Sequence, residues 1–169
     1  MSLLYVILAL VVVQRLGELV LARRNTNRLL SRGGQEFGAG HYPLFVLLHS
    51  LWLLSMALLI PPQAPANPFL LVLFALLMAA RLWVISSLGP YWTTRIITVH
   101  NEPLVRRGPY RLMRHPNYAV VVGEIAVLPL AFGAWQIALV FSLLNGALLA
   151  WRIHVENQVL AVRRNHVRI

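Results

Sequence analysis

Most of the side chains with potential for chemistry lie in one polar segment, residues 89–117, which is dense in Arg, aromatic, Gly and Pro residues. Within it, Arg114 and His115 directly precede Pro116. Because a proline disfavours the α conformation of the residue before it, this order predicts a helix that begins just after Pro116. Backbone N–H groups and the dipole at a helix N-terminus favour an anionic group. The segment therefore predicts an anion-binding site, with attachment to anionic lipid headgroups as the alternative.

A second polar pair follows the last apolar run of the chain. Arg152 and Glu156 are four residues apart, so a helix places them on one face. Such a pair is either an exposed ion pair, worth a few tenths of a kcal/mol, or one wall of a site that the polar loop completes. Short connections between the helices favour the second interpretation.

Five further polar side chains lie inside apolar runs: Arg15, Glu18, His49, Arg81 and Glu124. A charge at the centre of a bilayer costs about 2.5–3.5 kcal/mol on insertion scales, so such residues normally pair or line a site. Counted at about 1.5 Å per residue, all five lie about 6–10 Å from the same end of their helices. They predict a polar chamber, although pairing such as Arg15 with Glu18 also explains them.

Composition indicates what must position these residues. Of 169 residues, 59% are hydrophobic and only 12% are charged. An ordinary soluble domain has about 25% charged residues, and a membrane span needs about 20 apolar residues. The absence of Cys excludes disulfides, thiolate nucleophiles, zinc–thiolate sites and iron–sulfur clusters, and we expect no metal. Five spans are predicted, over approximately Ser2–Ala22, Pro43–Ile60, Pro68–Leu88, Tyr118–Phe132 and Ala134–Trp151.

The basic residues predict the orientation of these spans. The chain has 15 Arg and no Lys, and 13 of the Arg fall in the segments after spans one, three and five. By the positive-inside rule the N-terminus is outside and the C-terminus cytoplasmic. Topology thus explains the net charge of +10, and nucleic-acid binding loses its support. The first run lacks a basic leader and a cleavage site, so we expect a retained span and not a signal peptide. Residues Arg95–His100 are β-prone but have no expected partner strand.

The loop and the tail resemble a known family of membrane enzymes. The sequence Gly108-Pro109-Tyr110-x-x-x-Arg114-His115-Pro116-x-Tyr118, preceded by Leu104-Val105 and followed by Arg152-x-x-x-Glu156, is similar to the signature of the isoprenylcysteine carboxyl methyltransferase family. Three other segments resemble its short bacterial branch: Gln14-Arg15-Leu16-x-Glu18, Gly40-His41-Tyr42-Pro43 and Gly89-Pro90-Tyr91-Trp92-Thr93-Thr94-Arg95. Asn157 departs from the pattern, since the family usually has two consecutive Glu there.

The resemblance implies an all-α integral membrane protein of five transmembrane helices with a cytoplasmic cofactor-binding loop and a C-terminal helix. It implies one domain over residues 1–169, with helices in 1–80 and a catalytic core in 81–160, in the bacterial inner membrane and with its site facing the cytoplasm. The implied cofactor is S-adenosylmethionine. The residues expected to bind it are Leu104, Val105, Gly108, Tyr110, His115, Pro116, Tyr118, Arg152 and Glu156. The expected catalytic residues are Arg114, which orients the acceptor, and His115 or Glu124 as a base.

The remaining expectations concern the acceptor. The short bacterial branch resembles enzymes that O-methylate alkylpyrones and alkylresorcinols, so a lipophilic enol or phenol is the expected acceptor. Carboxyl methylation of a prenylcysteine or lipid-like acid is the first alternative, and a nicotinamide-dependent membrane reductase is a more distant one. The residues expected to bind the acceptor are Arg15, Glu18, His49, Arg81, Trp92 and Arg95.

The predicted topology is tested with reporter fusions. Because the long Arg-rich segments all lie on one side, a reporter fused after Ile169 is expected to read as cytoplasmic and one inserted at Gln63 as external. Paired alkaline phosphatase and green fluorescent protein fusions at both positions measure this. The reverse pattern would contradict the orientation and, with it, the cytoplasmic site.

Overall fold

The structure is a computed structural model that describes residues 2–99 and 105–166. Leu104 and His100 therefore lie outside the described residues. The described residues form five α-helices and a two-stranded sheet at one end of the bundle. In chain order the elements are α1 (Leu3–Ser31), β1 (Gln35–Phe37), α2 (Tyr42–Leu59), α3 (Pro68–Leu88), β2 (Ile96–Thr98), α4 (Pro116–Ala131) and α5 (Trp135–His166).

The helical membrane architecture is confirmed, with one difference in the number of spans. Four helices, α1, α2, α3 and α5, are long and apolar enough to cross a membrane. By contrast, α4 has 16 residues and is shorter than a span normally requires. It begins at Pro116, one residue before the predicted start, and His115 precedes it in a non-helical conformation, as the proline position predicts. Both α1 and α5 continue well beyond the predicted spans, because their apolar segments pass into polar helix without a break.

The expectation that Arg95–His100 has no strand partner is wrong. Strand β2 pairs antiparallel with β1, and Glu36 lies opposite Ile97. The partner comes from the polar segment that follows α1. Arg95 adds an ion pair to Glu36, with Nη1 2.9 Å from the carboxylate. The sheet therefore links the segment after α1 to the segment after α3 at the end of the bundle where the polar residues gather.

Close contacts hold α3 and α4 together along their length. A Cβ built on Gly123 would lie 2.9 Å from Leu77 Cδ2, so the two helices approach closely here and a larger residue would require the Leu77 side chain to shift. At the other end, the Asn67 side chain caps α3 by accepting from the backbone N–H groups of Phe69 and Leu70. The backbone N–H of Asn67 donates to the carbonyl of Ala131, the last residue of α4. Helix α4 is thus fixed to α3 at its end and at its middle.

A buried network of four charged side chains joins three of the helices. Arg81 of α3 donates from Nε and Nη2 to the carboxylate of Glu18 on α1, at 2.5 and 2.6 Å, and from Nη1 to Glu124 of α4 at 3.2 Å. Arg15 of α1 pairs with both glutamates. The predicted pairing of Arg15 with Glu18 is confirmed, as part of a larger network. Two cations and two anions cancel, which makes their burial in an apolar bundle tolerable.

This network predicts a large effect of Arg81→Met on stability. The change leaves Glu18 and Glu124 short of a cation in a buried position, and breaking a buried pair costs about 3–5 kcal/mol. The midpoint of thermal unfolding in detergent micelles measures the loss. Arg95→Met is the control, because the Arg95–Glu36 pair is partly exposed and such pairs contribute about 0–1 kcal/mol. Equal losses in the two variants would contradict a special role for the network.

Candidate functional site

The polar loop, the start of α4 and the tail of α5 enclose a cavity of about 370 Å³. We call it the loop cavity. Its wall brings together residues that are far apart in the sequence. Those that the sequence analysis named are Trp92, Arg95, Val105, Tyr110, Arg114, His115, Tyr118, Arg152 and Glu156. Both polar constellations predicted from sequence, the segment 89–117 and the Arg152–Glu156 pair, therefore line one cavity.

Tyr118 is the centre of the hydrogen-bonded group in this cavity. Its hydroxyl donates to Glu156 Oε2 at 2.5 Å and accepts from Arg152 Nε at 2.8 Å. The His115 ring stacks on the Tyr118 ring with centroids 5.2 Å apart, and His115 Nδ1 lies 3.7 Å from Glu156 Oε2. His115 Nε2 is buried and has no hydrogen-bond partner among the described residues. A flat, partly buried surface with an unused polar atom is well suited to a ring-containing ligand.

Tyr110 adds an aromatic ring to the same cavity. Burial raises the pKa of Tyr110 above its usual range, and the negative charge of Glu156 raises it further. The phenol therefore stays protonated throughout the physiological pH range. Tyr110 offers the cavity a neutral ring with a hydroxyl that can donate a hydrogen bond.

Three anchors hold the loop in place against α1 and α3. The Asn25 side chain of α1 donates from Nδ2 to the backbone carbonyls of Gly89 and Trp92, at 3.1 and 2.8 Å. Arg107 Nε donates to the carbonyl of Ser87. Gly108 has a φ of +55°, and a Cβ there would collide with Ser87 Oγ. The loop thus follows the end of α3 closely, at a position that requires glycine.

A second cavity, of about 560 Å³, lies between α1 and α2 and has mainly apolar walls. We call it the helix groove. Some of its wall residues, such as Val12, Val46 and Leu54, are exposed on the flank of the bundle. Since the protein is embedded in a membrane, this flank faces lipid. The polar side chains in its wall include four of those predicted to form a chamber: Arg15, Glu18, His49 and Arg81.

The loop cavity and the helix groove share a wall. The residues common to both are Trp92, Thr93, Asn117, Tyr118 and Arg152. The Arg152 guanidinium lies 5.4 Å from the centre of the Phe45 ring and 5.7 Å from that of Tyr118, so aromatic faces hold its charge at the shared wall. Asn117 Oδ1 is buried there without a hydrogen-bond partner. A polar cavity and an apolar groove thus meet at a cation and an unpaired amide oxygen.

Comparison with known proteins identifies this arrangement. The model of the isoprenylcysteine carboxyl methyltransferase family matches residues 70–162, more than half of the chain. The chain is also 38% identical over 160 residues to the uncharacterized protein YpbQ of Bacillus subtilis (strain 168), covering 92% of this chain and 95% of that one. No solved structure matches the chain. The chain belongs to the isoprenylcysteine carboxyl methyltransferase family. It is accordingly an integral membrane methyltransferase.

Most residues expected to bind the methyltransferase cofactor line the loop cavity, and two of the described ones do not. Gly108 lies against Ser87, where the lack of a side chain allows the loop backbone to approach α3. Pro116 is buried as the first residue of α4. Leu104 lies outside the described residues. That the other six residues bind the cofactor stays a prediction. Their position in the wall of one cavity is consistent with it.

The residues expected to bind the acceptor or to act in catalysis are distributed over the loop cavity, the helix groove and the buried network. Arg114 was expected to face the acceptor, but it lines the loop cavity beside His115 and is not among the groove residues. Arg95 lines the loop cavity as well, where it pairs with Glu36. Glu124 is fully buried, lines neither cavity, and has its Oε2 engaged by two arginines. Trp92 lines both cavities.

Three residues important for the site were not singled out from sequence. Asn117 is the unspecified position between Pro116 and Tyr118 in the motif. Its position in the motif was the only signal in the sequence that could have indicated a role. Asn25 sits among basic residues at the end of α1, where an amide gives no signal of its distant partners. Glu36 had a usable signal, because it is the one acidic residue in the segment that follows α1 and could complement Arg95.

The Gly108 contact yields a prediction about the loop. Gly108→Ala is expected to reduce stability by at least about 1–2 kcal/mol, the cost of a left-handed conformation for an L-residue, because the clash with Ser87 adds to it. Thermal unfolding in detergent measures the change. Gly40→Ala is the control, since a Cβ there meets nothing within 4 Å. A Gly108→Ala protein as stable as the control variant would show that the loop is not held against α3.

Proposed function

We propose that this methyltransferase transfers a methyl group from S-adenosylmethionine to an oxygen atom of a lipophilic acceptor, at the cytoplasmic face of the plasma membrane. The acceptor class that we favour is an enol or phenol with a long alkyl chain, such as an alkylpyrone or alkylresorcinol. The observation that carries the proposal is the wall shared by a polar cavity and an apolar groove that opens on the flank of the bundle. A water-soluble donor and a membrane-soluble acceptor need such a meeting point.

The residues of the loop cavity fit S-adenosylmethionine. The carboxylate of Glu156 can accept hydrogen bonds from ribose hydroxyls or from an ammonium group, and the unpaired His115 Nε2 can bond a further polar atom. The rings of Tyr110 and Tyr118 suit a purine or a sulfonium cation. Arg114, exposed at the wall of the same cavity, presents a planar fork to a carboxylate. When bound, this donor supplies a methyl group already activated on a sulfonium sulfur.

The helix groove fits the acceptor. Its apolar flank matches an alkyl chain that stays in contact with lipid, and its polar residues match an oxygen-bearing head group. Arg152 at the shared wall places a positive charge where an acceptor oxygen would approach the loop cavity. Asn117 Oδ1 offers a hydrogen-bond acceptor at the same wall.

The contribution of the protein to the reaction is alignment and exclusion of water. Holding two reactants in line can supply several kcal/mol of the barrier. The Tyr118 hydrogen bonds fix Arg152 and Glu156 relative to each other. A methyl donor bound at Glu156 and a methyl acceptor bound at Arg152 are therefore held at a fixed distance. Apolar groove walls keep water from the acceptor side.

Carboxyl methylation of a prenylcysteine or another lipid-like acid is the second candidate, and the description of the matched family favours it. A carboxylate is already ionised at neutral pH and would need only a cation at the shared wall, which Arg152 provides. A nicotinamide-dependent reductase remains the more distant alternative. Titration of purified protein with S-adenosylhomocysteine and with NADPH distinguishes donor classes, and only the first is expected to bind.

Glu156→Ala tests the assignment of the loop cavity to the donor. Loss of a charged hydrogen bond is expected to weaken S-adenosylhomocysteine binding by about 1.5–3 kcal/mol, or roughly tenfold to more than a hundredfold in Kd. Isothermal titration calorimetry in detergent measures the affinity.

His154→Ala is the matched control, because His154 is exposed on the same helix, bonds only to Gln158, and does not line the loop cavity. Its affinity for S-adenosylhomocysteine is expected to stay within about twofold of the wild type. Equal losses in the two variants would mean that the tail acts through folding alone, and the loop cavity would lose its assignment.

A further inference from the structure

His49 is a polar side chain of the helix groove. It does not belong to the hydrogen-bonded group around Tyr118. It lies on α2, half-buried, with its ring edge-on to Trp52 at a centroid distance of 6.5 Å. Its Nδ1 lies 2.8 Å from the backbone carbonyl oxygen of Phe45. A carbonyl oxygen only accepts, so Nδ1 carries the hydrogen of this bond. In the neutral ring, Nε2 therefore holds a free lone pair.

The position of His49 brings this lone pair close to the shared wall. Phe45 precedes His49 by one helical turn, about 6 Å along the axis, and contacts the Arg152 guanidinium. The charged groups in the groove wall around His49 are Arg15 and Glu18 from α1, Arg81 from α3 and Arg152 from α5. Arg15 and Arg81 are neutralised by the two glutamates, so Arg152 is the positive charge that can stabilise an oxygen losing its proton at this wall.

The lone pair of His49 Nε2 distinguishes between classes of acceptor. The arginines in the same wall, Arg15 and Arg81, only donate hydrogen bonds and are engaged by the two glutamates. A hydroxyl group can donate to the lone pair of His49, whereas an ionised carboxylate has no hydrogen to donate and faces it with another lone pair. Glu124, one of the two bases expected from sequence, does not line the groove.

We propose that His49 is the general base for a hydroxyl acceptor, an assignment that rests on the proposed methyl transfer. The O–H bond of the acceptor breaks and its proton goes to His49 Nε2. An oxygen lone pair forms the new bond to the methyl carbon, and the electron pair of the carbon–sulfur bond stays on sulfur, which becomes a neutral thioether. The O–H bonding pair stays on oxygen, so the ether product is neutral. His49 then returns its proton to water.

The test compares two acceptors that differ in their need for a base. One is 5-pentadecylresorcinol, a protonated phenol at neutral pH, and the other is a long-chain alkyl nitrophenol that is ionised at the assay pH. His49→Gln is expected to lower kcat/KM for the resorcinol by about 100-fold or more, the range for general base catalysis. The ionised nitrophenol and the affinity for S-adenosylhomocysteine are expected to change by less than about twofold.

Further variants separate chemistry from folding. Added imidazole is expected to restore resorcinol methylation by His49→Ala. His49→Asn, whose amide N–H can keep the bond to the Phe45 carbonyl, replaces His49→Gln if that variant does not fold. Ser55→Ala is the control on α2, because its hydroxyl bonds only to the Trp52 carbonyl and does not line the groove.

Distinct results overturn the two proposals. Equal losses with both phenols, a parallel loss of S-adenosylhomocysteine binding, or full resorcinol activity in His49→Gln would each show that His49 is not the base. A wild-type protein that binds S-adenosylhomocysteine and methylates palmitate but neither phenol would overturn the hydroxyl acceptor and leave methyl transfer standing. A folded wild-type protein that does not bind S-adenosylhomocysteine would overturn the proposed function itself.

Discussion

The interaction on which the rest of the structure depends is the pairing of Arg81 with two glutamates inside the bundle. An unpaired charge in an apolar bundle is costly, so Glu18 of α1 and Glu124 of α4 must both reach the Arg81 guanidinium, and Arg15 must neutralise what remains. This requirement determines how α1 and α4 lie against α3. Because α4 starts with the motif that lines the loop cavity and α1 forms one side of the helix groove, the network also sets the relation between the two cavities.

Arg152 and Tyr118 extend this order from the bundle to the site. Arg152 of α5 contacts Phe45 of α2 and Tyr118 of α4, and Tyr118 holds Glu156 one turn further along α5. Three helices are therefore tied together at the wall that separates polar from apolar space. Arg152 and Glu156 are thus joined through the Tyr118 hydroxyl as well as through the helix that carries both. The two cavities therefore meet in one hydrogen-bonded unit.

Local patterns in the sequence predicted where the helices lie and which residues line the cavities. They predicted less well which helices and residues contact one another. Apolar runs located α2 and α3 almost to the residue, and Pro116 located the start of α4. The ends of α1 and α5 were missed because hydropathy falls where the membrane stops, whereas helical hydrogen bonding continues. The pairing of β1 with β2 joins segments about 60 residues apart, and no short-range pattern encodes such a register. The cavity that Arg114 lines and the complete burial of Glu124 could not be predicted for a related reason, since spacing indicates a helical face but not which neighbour covers it.

The shortness of α4 has a consequence for how the chain enters the membrane. With 16 residues, an internal Pro129 and the buried Glu124, α4 is a poor candidate for independent insertion. It is followed almost at once by α5, which is long and apolar enough to span. We therefore expect the two helices to enter as a hairpin, with α4 packed against α3 where Gly123 gives it room. Arg81, on the preceding helix, is then in place to pair with Glu124 when α4 arrives.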